Sequence, residues 1–112
     1  MRHYSIYQIQ NGAGNARYIK FSGLDFVKEN NLCEMEGELC KLDSDMYEKV
    51  YEGDIETEQN EEPVATLETL FMKFQGRKPE GYTGCSLSVS DVIVLDGKAY
   101  YCDNYGFEEI DF

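Results

Sequence analysis

The chain has 112 residues, a formal net charge of −12 and 42% hydrophobic residues, nine Tyr and six Phe among them. That length makes one domain able to bury about two thirds of its unfolded surface, and the aromatic content rules out a disordered acidic tail. The charge argues against a binder of bare DNA or RNA phosphates or of an anionic membrane and favours a basic partner; no apolar run nears the roughly 18 residues of a membrane-spanning helix.

The start, MRHYSIYQIQ, alternates from His3 to Gln10 around Tyr4, Ile6, Tyr7 and Ile9, which predicts a first strand and not the core of an export signal. Asn11 to Asn15 is a loop by composition; its GAG lacks the following Lys and Ser/Thr of a phosphate loop. Tyr18 to Phe21 is expected to be a short strand. Ser22 with Asp25 resembles a capping box opening a short helix with Leu24 and Val27 inward, and Asn30-Asn31 is its expected end. Leu32 to Leu42 is ambiguous. Met46 to Tyr51 is expected as a strand closed by Gly53, and Asp54 to Pro63 as a polar loop.

Leu67, Leu70, Phe71 and Phe74 recur at helical spacing after Thr66, the expected N-cap, with Gly76 as the stop. Asp96-Gly97 between two β-prone runs is a hairpin signal. A two-residue turn there sets Leu95 opposite Lys98, Val94 opposite Ala99, Ile93 opposite Tyr100 and Val92 opposite Tyr101. That ribbon is apolar on both faces, so it belongs inside the sheet with a helix over at least one side. Phe107 to Ile110 returns as a further strand. The fold class these elements predict is α+β: a small single domain with an antiparallel sheet and two helices packed on it.

Cys33, Cys40, Cys85 and Cys102 allow three pairings, and without an export signal four reduced thiols are expected. A zinc site lacks support, since no C-x-x-C spacing exists and His3 is the one histidine. The charge is concentrated. Residues 34–62 hold twelve acids, Glu34, Glu36, Glu38, Asp43, Asp45, Glu48, Glu52, Asp54, Glu56, Glu58, Glu61 and Glu62, against Lys41 and Lys49, a net of −10. Glu34, Glu36 and Glu38 alternate, as do Asp54, Glu56 and Glu58. On extended backbone such residues stand about 6.6–6.8 Å apart on one side, a pitch at which a charge row imitates a nucleic-acid backbone to a basic groove. The plainer reading is solubility and a protected strand edge. Catalytic signals are weak. Asp91 and Asp103 flank the hairpin and could act as a carboxylate pair, alone or with a metal, but such residues more often cap turns; the serines of SLSVS have no base near them in sequence.

The stretches YSIYQI, DMYEKVYEG and TLETLFMKFQGRKPEGYTGCSLSVSDVIVLDGKAYYCDNYGF resemble the YodL-like domain, over most of the chain and most densely from Thr66 to Phe107. The resemblance implies one YodL-like α+β domain over residues 1–112, carrying an acidic segment at 34–62. It also implies a bacterial mobile-element or phage setting, beside antirestriction functions, with no catalytic residues to carry over. With the charge, the expectation is an anti-defence inhibitor in the host cytoplasm, most readily an anti-CRISPR protein. It would bind a Cas9-type effector or its guide RNA complex through the twelve acids. It would block guide RNA or DNA binding without catalysis, cofactor, metal or direct nucleic-acid contact. The alternatives are a protein-interaction or regulatory module of a mobile element and a small metal-dependent nuclease using Asp91 and Asp103.

Overall fold

A computed structural model describes residues 1–9, 16–76 and 78–112. Its elements in chain order are β1 (Arg2–Ile9), α1 (Ala16–Ile19), α2 (Leu24–Glu29), β2 (Glu34–Glu36), β3 (Leu39–Lys41), a 3₁₀ turn (Ser44–Met46), β4 (Tyr47–Ile55), α3 (Pro63–Lys73), β5 (Val92–Leu95), β6 (Lys98–Cys102) and β7 (Phe107–Ile110). Five strands make one antiparallel sheet in the order β4-β1-β5-β6-β7, and β2 and β3 pair as a separate small ribbon. The α+β expectation holds, with a third helix of one turn added.

The hairpin forms in the register its Asp-Gly turn dictates: Leu95 faces Lys98, Val94 Ala99, Ile93 Tyr100 and Val92 Tyr101. Asp96 and Gly97 have φ of 50° and 83°, the pair of left-handed conformations that matches strand twist in a two-residue turn. β5 lies at the centre of the sheet, and it is apolar on both faces because both are covered. On one face α3 lays Leu67, Leu70 and Phe74 over Tyr4, Ile6, Ile93 and Leu95. On the other, Ala16 and Ile19 of α1, Leu24 and Val27 of α2, and Cys40 and Leu42 pack on Ile9, Tyr47, Val92 and Tyr101.

Several local expectations are overturned. Residues Tyr18 to Phe21 are not a strand: Ala16 and Ile19, three apart, are both fully buried and demand a helical turn, while Tyr18 and Phe21 are exposed. Ser22 caps nothing; Gly23 holds the N-cap position of α2, and the free N–H of Leu24 donates to the Asp103 carboxylate at 3.0 Å. A cap supplied from the β6–β7 turn has no signature near the helix. Asn30 does close α2, with Asn31 in the left-handed region at φ 54°. The ambiguous 32–42 stretch is the β2–β3 ribbon. β4 runs past Gly53 to Ile55 because pairing with β1 continues to Arg2. Thr66 is not the N-cap. Glu62 is, with Pro63 first in the helix, and Thr66 is fully buried, its hydroxyl accepting from Arg2 Nη1 at 3.0 Å and donating to the Glu61 carboxylate. The Asn11–Asn15 loop lies outside the described residues.

The four-thiol expectation also fails. Cys33 and Cys40 form a disulfide across the base of the β2–β3 ribbon, their Cα atoms 6.1 Å apart, leaving Cys85 exposed and Cys102 buried as thiols. The ribbon is short and lies apart from the main sheet, so a covalent tie between its strands does what a longer hydrogen-bonded ladder would otherwise do.

Two stability predictions follow from this packing. Phe74→Ala removes a fully buried ring and should cost about 3–5 kcal/mol in urea melts, whereas Phe71→Ala, half-buried against Phe107, should cost about half that. Reducing the Cys33–Cys40 bridge, or Cys33→Ser with Cys40→Ser, should lower stability by about 2 kcal/mol, the loop-closure value for so small a ring, with a matching fall in melting temperature.

Candidate functional site

The twelve acids do not form one continuous row. Eleven are exposed, and Glu61 is half-buried. Glu34 and Glu36 stand on β2, facing Lys41 and Leu39 of β3, and Lys41 Nζ meets Glu36 at 3.3 Å. Glu38 follows Gly37 (φ 62°) in the connecting turn, so it does not extend the β2 row. This ribbon sits against the far end of β7, where Leu42 N donates to Asp111 O and Asp111 N to Cys40 O, each at 3.0 Å. β4 and β7 are opposite edges of the five-stranded sheet, and Phe112, just past β7, packs its ring on Tyr47 at the start of β4, centroids 5.1 Å apart. The acids of β4 and the segment after it stand on a different element from those of the ribbon.

Other members of the set have local work. Asp43 caps the 3₁₀ turn by accepting from Asp45 N at 2.9 Å. Glu61 accepts from Thr66 through its carboxylate and from Arg2 Nη2 through its carbonyl at 2.7 Å, and Glu62 is the N-cap residue of α3. Glu48 is exposed beside Gln8. One alternating series runs along the β4 edge and just past its end: Glu52, Asp54, Glu56 and Glu58 are exposed, with Gly53, Ile55 and Thr57 half-buried between them.

His3, on the neighbouring strand, faces the first two. Its Nε2 lies 2.7 Å from Glu52 Oε2 and its Nδ1 3.0 Å from Asp54 Oδ1. Both nitrogens can donate only in the imidazolium form, so the geometry selects the charged ring. The Asp54 and Glu52 contacts raise its pKa above the ordinary value. Lys49 Nζ meets Glu52 Oε1 at 2.7 Å, and these partners hold the Glu52 carboxyl below the usual range. No signal in the sequence singles out His3 as a partner of residues some 50 positions away; only the β1–β4 register does.

Asp91 and Asp103 are each engaged by backbone N–H groups. Asp103 Oδ1 accepts from Leu24 N and Asn104 N. Asp91 Oδ2 accepts from Ser88 N at 2.8 Å and Gln8 Nε2 at 3.1 Å. Gln8 in turn clamps the 82–85 loop, its Oε1 accepting from Cys85 N and its Nε2 donating to Cys85 O. A Cβ at Gly84 would stand 2.2 Å from Gln8 Oε1, so a larger residue there would push the Gln8 amide out of this clamp. Ser90, in the left-handed region at φ 85°, joins three elements: its hydroxyl accepts from Phe21 N, its carbonyl from Tyr47 Oη, and its N–H donates to Cys102 O. SLSVSDV is thus a structural knot. Burial pushes the Cys102 thiol up, and among the described residues no group of three or more His, Cys, Asp or Glu is arranged to hold a metal ion.

Burial raises the Asp91 carboxyl to about 6, more than the hydrogen bonds from Ser88 and Gln8 lower it. The folded state therefore holds this proton more tightly than the unfolded chain, and its contribution to stability is lost as pH climbs from about 4 to about 6. Asp91→Asn keeps an acceptor for Ser88 and Gln8 without the charge. Urea melts should place the variant near or below wild type at pH 4 and shift the comparison in its favour by about 1–3 kcal/mol at pH 7.

No described helix is long and apolar enough to cross a membrane. No match to the chain was found among curated proteins or among solved structures. A family model, the YodL-like domain, matches residues 3–112. With nearly the whole length inside that match, the chain belongs to the YodL-like domain family.

Proposed function

We propose that this protein is an anti-defence inhibitor of a mobile element or phage, acting in the bacterial host cytoplasm. Its target in this reading is a Cas9-type effector, whose positively charged channel it enters to block guide RNA or DNA binding without catalysis. The carrying observation is the exposed alternating series of Glu52 and Asp54 on the β4 edge and Glu56 and Glu58 just past its end, within a segment of net charge −10. On the strand the pair spacing of about 6.6–6.8 Å is close to that of successive phosphates. Membership of the YodL-like family is compatible with the mobile-element setting. The engagement of both Asp91 and Asp103 in backbone caps favours binding over hydrolysis.

Surface attraction of this kind is screened over about 10 Å at 0.1 M salt. Inhibition of Cas9 cleavage should weaken steeply as salt rises. Asp54→Lys, Glu56→Lys and Glu58→Lys together should abolish it with the melting temperature close to wild type, since exposed charges contribute little to folding. Glu68→Lys with Glu80→Lys, exposed and outside the segment, is the control. Full inhibition by the folded triple variant would exclude this surface, and equal loss in the control would reduce the effect to net charge.

A further inference from the structure

We infer that the outer edge of β4 from Glu52 to Asp54 is a strand-addition site for an extended partner segment in which basic and apolar residues alternate. This deepens the proposed function by naming the form of the partner, and it rests on that reading only for the partner's positive charge.

The backbone directions follow from the pairing. His3 O accepts from Asp96 N, so His3 turns its peptide groups toward the β5 side. Alternation along β1 then turns those of Arg2, Tyr4 and Ile6 toward β4. Their partners Ile55, Gly53 and Tyr51 must point inward. The N–H and C=O of Glu52 and Asp54 consequently point away from the sheet. Between Ile6 and Tyr7 the register shifts, leaving Val50 as an extra residue, and there the edge is plugged: Thr83 N donates to Val50 O at 3.1 Å. Among the described residues no backbone group bonds to β4's outer edge beyond that plug. The opposite edge of the sheet differs, because Cys40 and Leu42 flank β7 at Asp111.

Charged side chains usually protect such an edge. Here His3 draws the Glu52 and Asp54 carboxylates back over β1, and Lys49 holds the other oxygen of Glu52, so the outward peptide groups are not covered by them. A strand laid against this edge would form hydrogen-bonded pairs at Glu52 and Asp54. Its residues opposite them share their face, about 5.5 Å away, where the net charge stays negative through Glu56 and Glu58 and calls for Lys or Arg. The residue between, opposite Gly53, falls on the other face beside half-buried Tyr51 and Ile55 and calls for an apolar side chain.

The test uses the full chain and three synthetic seven-residue peptides of alternating Lys and Val. One is unmodified, one N-methylated at the lysines, whose N–H groups would pair with the edge, and one N-methylated at the valines, whose N–H groups would face solvent. Binding followed by amide NMR should shift Glu52 and Asp54. Lysine methylation should weaken binding at least about tenfold, the loss of one to two hydrogen bonds, and valine methylation by less than about twofold. Equal binding of the lysine-methylated peptide, equal loss in both, or shifts centred on Glu34 to Glu38 would overturn the inference. Edge pairing with the peptide by a wild-type protein that leaves Cas9 cleavage uninhibited would leave this inference standing and remove the proposed function.

Discussion

A sheet whose central strands are apolar on both faces has to be covered twice, and most of this structure is the consequence. Val92 and Ile93 are adjacent, both fully buried, and necessarily point to opposite sides. The chain meets that demand with its two longest connections. The one from β1 to β4 supplies α1, α2 and the β2–β3 ribbon for one face; the one from β4 to β5 supplies α3 and the SLSVSDV loop for the other. Neither cover is long, and each is fastened by side chains reaching across: Asp103 to the start of α2, Tyr101 to Ser22, Arg2 to the first turn of α3, and Ser90 to both Phe21 and Tyr47.

Because the covers consume the apolar residues, the charge is left to the edges and turns. The ribbon carries Glu34, Glu36 and Glu38, and β4 with the segment after it carries Glu52, Asp54, Glu56 and Glu58. The net of −10 is thus spread over separate elements, and a basic groove engaging Glu52 and Asp54 meets an ordered strand edge. His3 is placed to moderate that edge, since the two N–H groups of its imidazolium donate to two of the four carboxylates.

The residues with the strongest look of chemistry also fasten the fold. Asp91 is buried beneath Gln8 and Ser88 at a cost expressed in its raised pKa, and the loop it anchors positions Cys85 and Gly84 against β1. The Asp91 carboxylate accepts from one backbone N–H, that of Ser88, and one side-chain amide, that of Gln8, and so ties the approach to β5 to β1.

The sequence by itself determined the parts whose signals are local. The Asp96-Gly97 turn imposes left-handed dihedrals that few other pairs accept, and so sets the β5–β6 register residue by residue. The Leu67, Leu70 and Phe74 spacing marks the buried side of α3, and the alternation of Tyr4 and Ile6 marks β1. Tertiary structure alone decided the rest, wherever the deciding partner lies far along the chain. The first turn of α2 is satisfied by Asp103, 79 residues from Leu24, so Ser22 loses the capping role its position advertises. Thr66, a good cap by type, is buried because Arg2 and Glu61 satisfy its hydroxyl while Pro63 starts the helix earlier. Tyr18 to Phe21 has β-prone residues but lies where Ala16 and Ile19 must both reach the sheet, and one helical turn is what brings them there. The pairing of Cys33 with Cys40, and of His3 with Glu52 and Asp54, follows from which strands become neighbours, a property of the sheet order that no window of sequence contains.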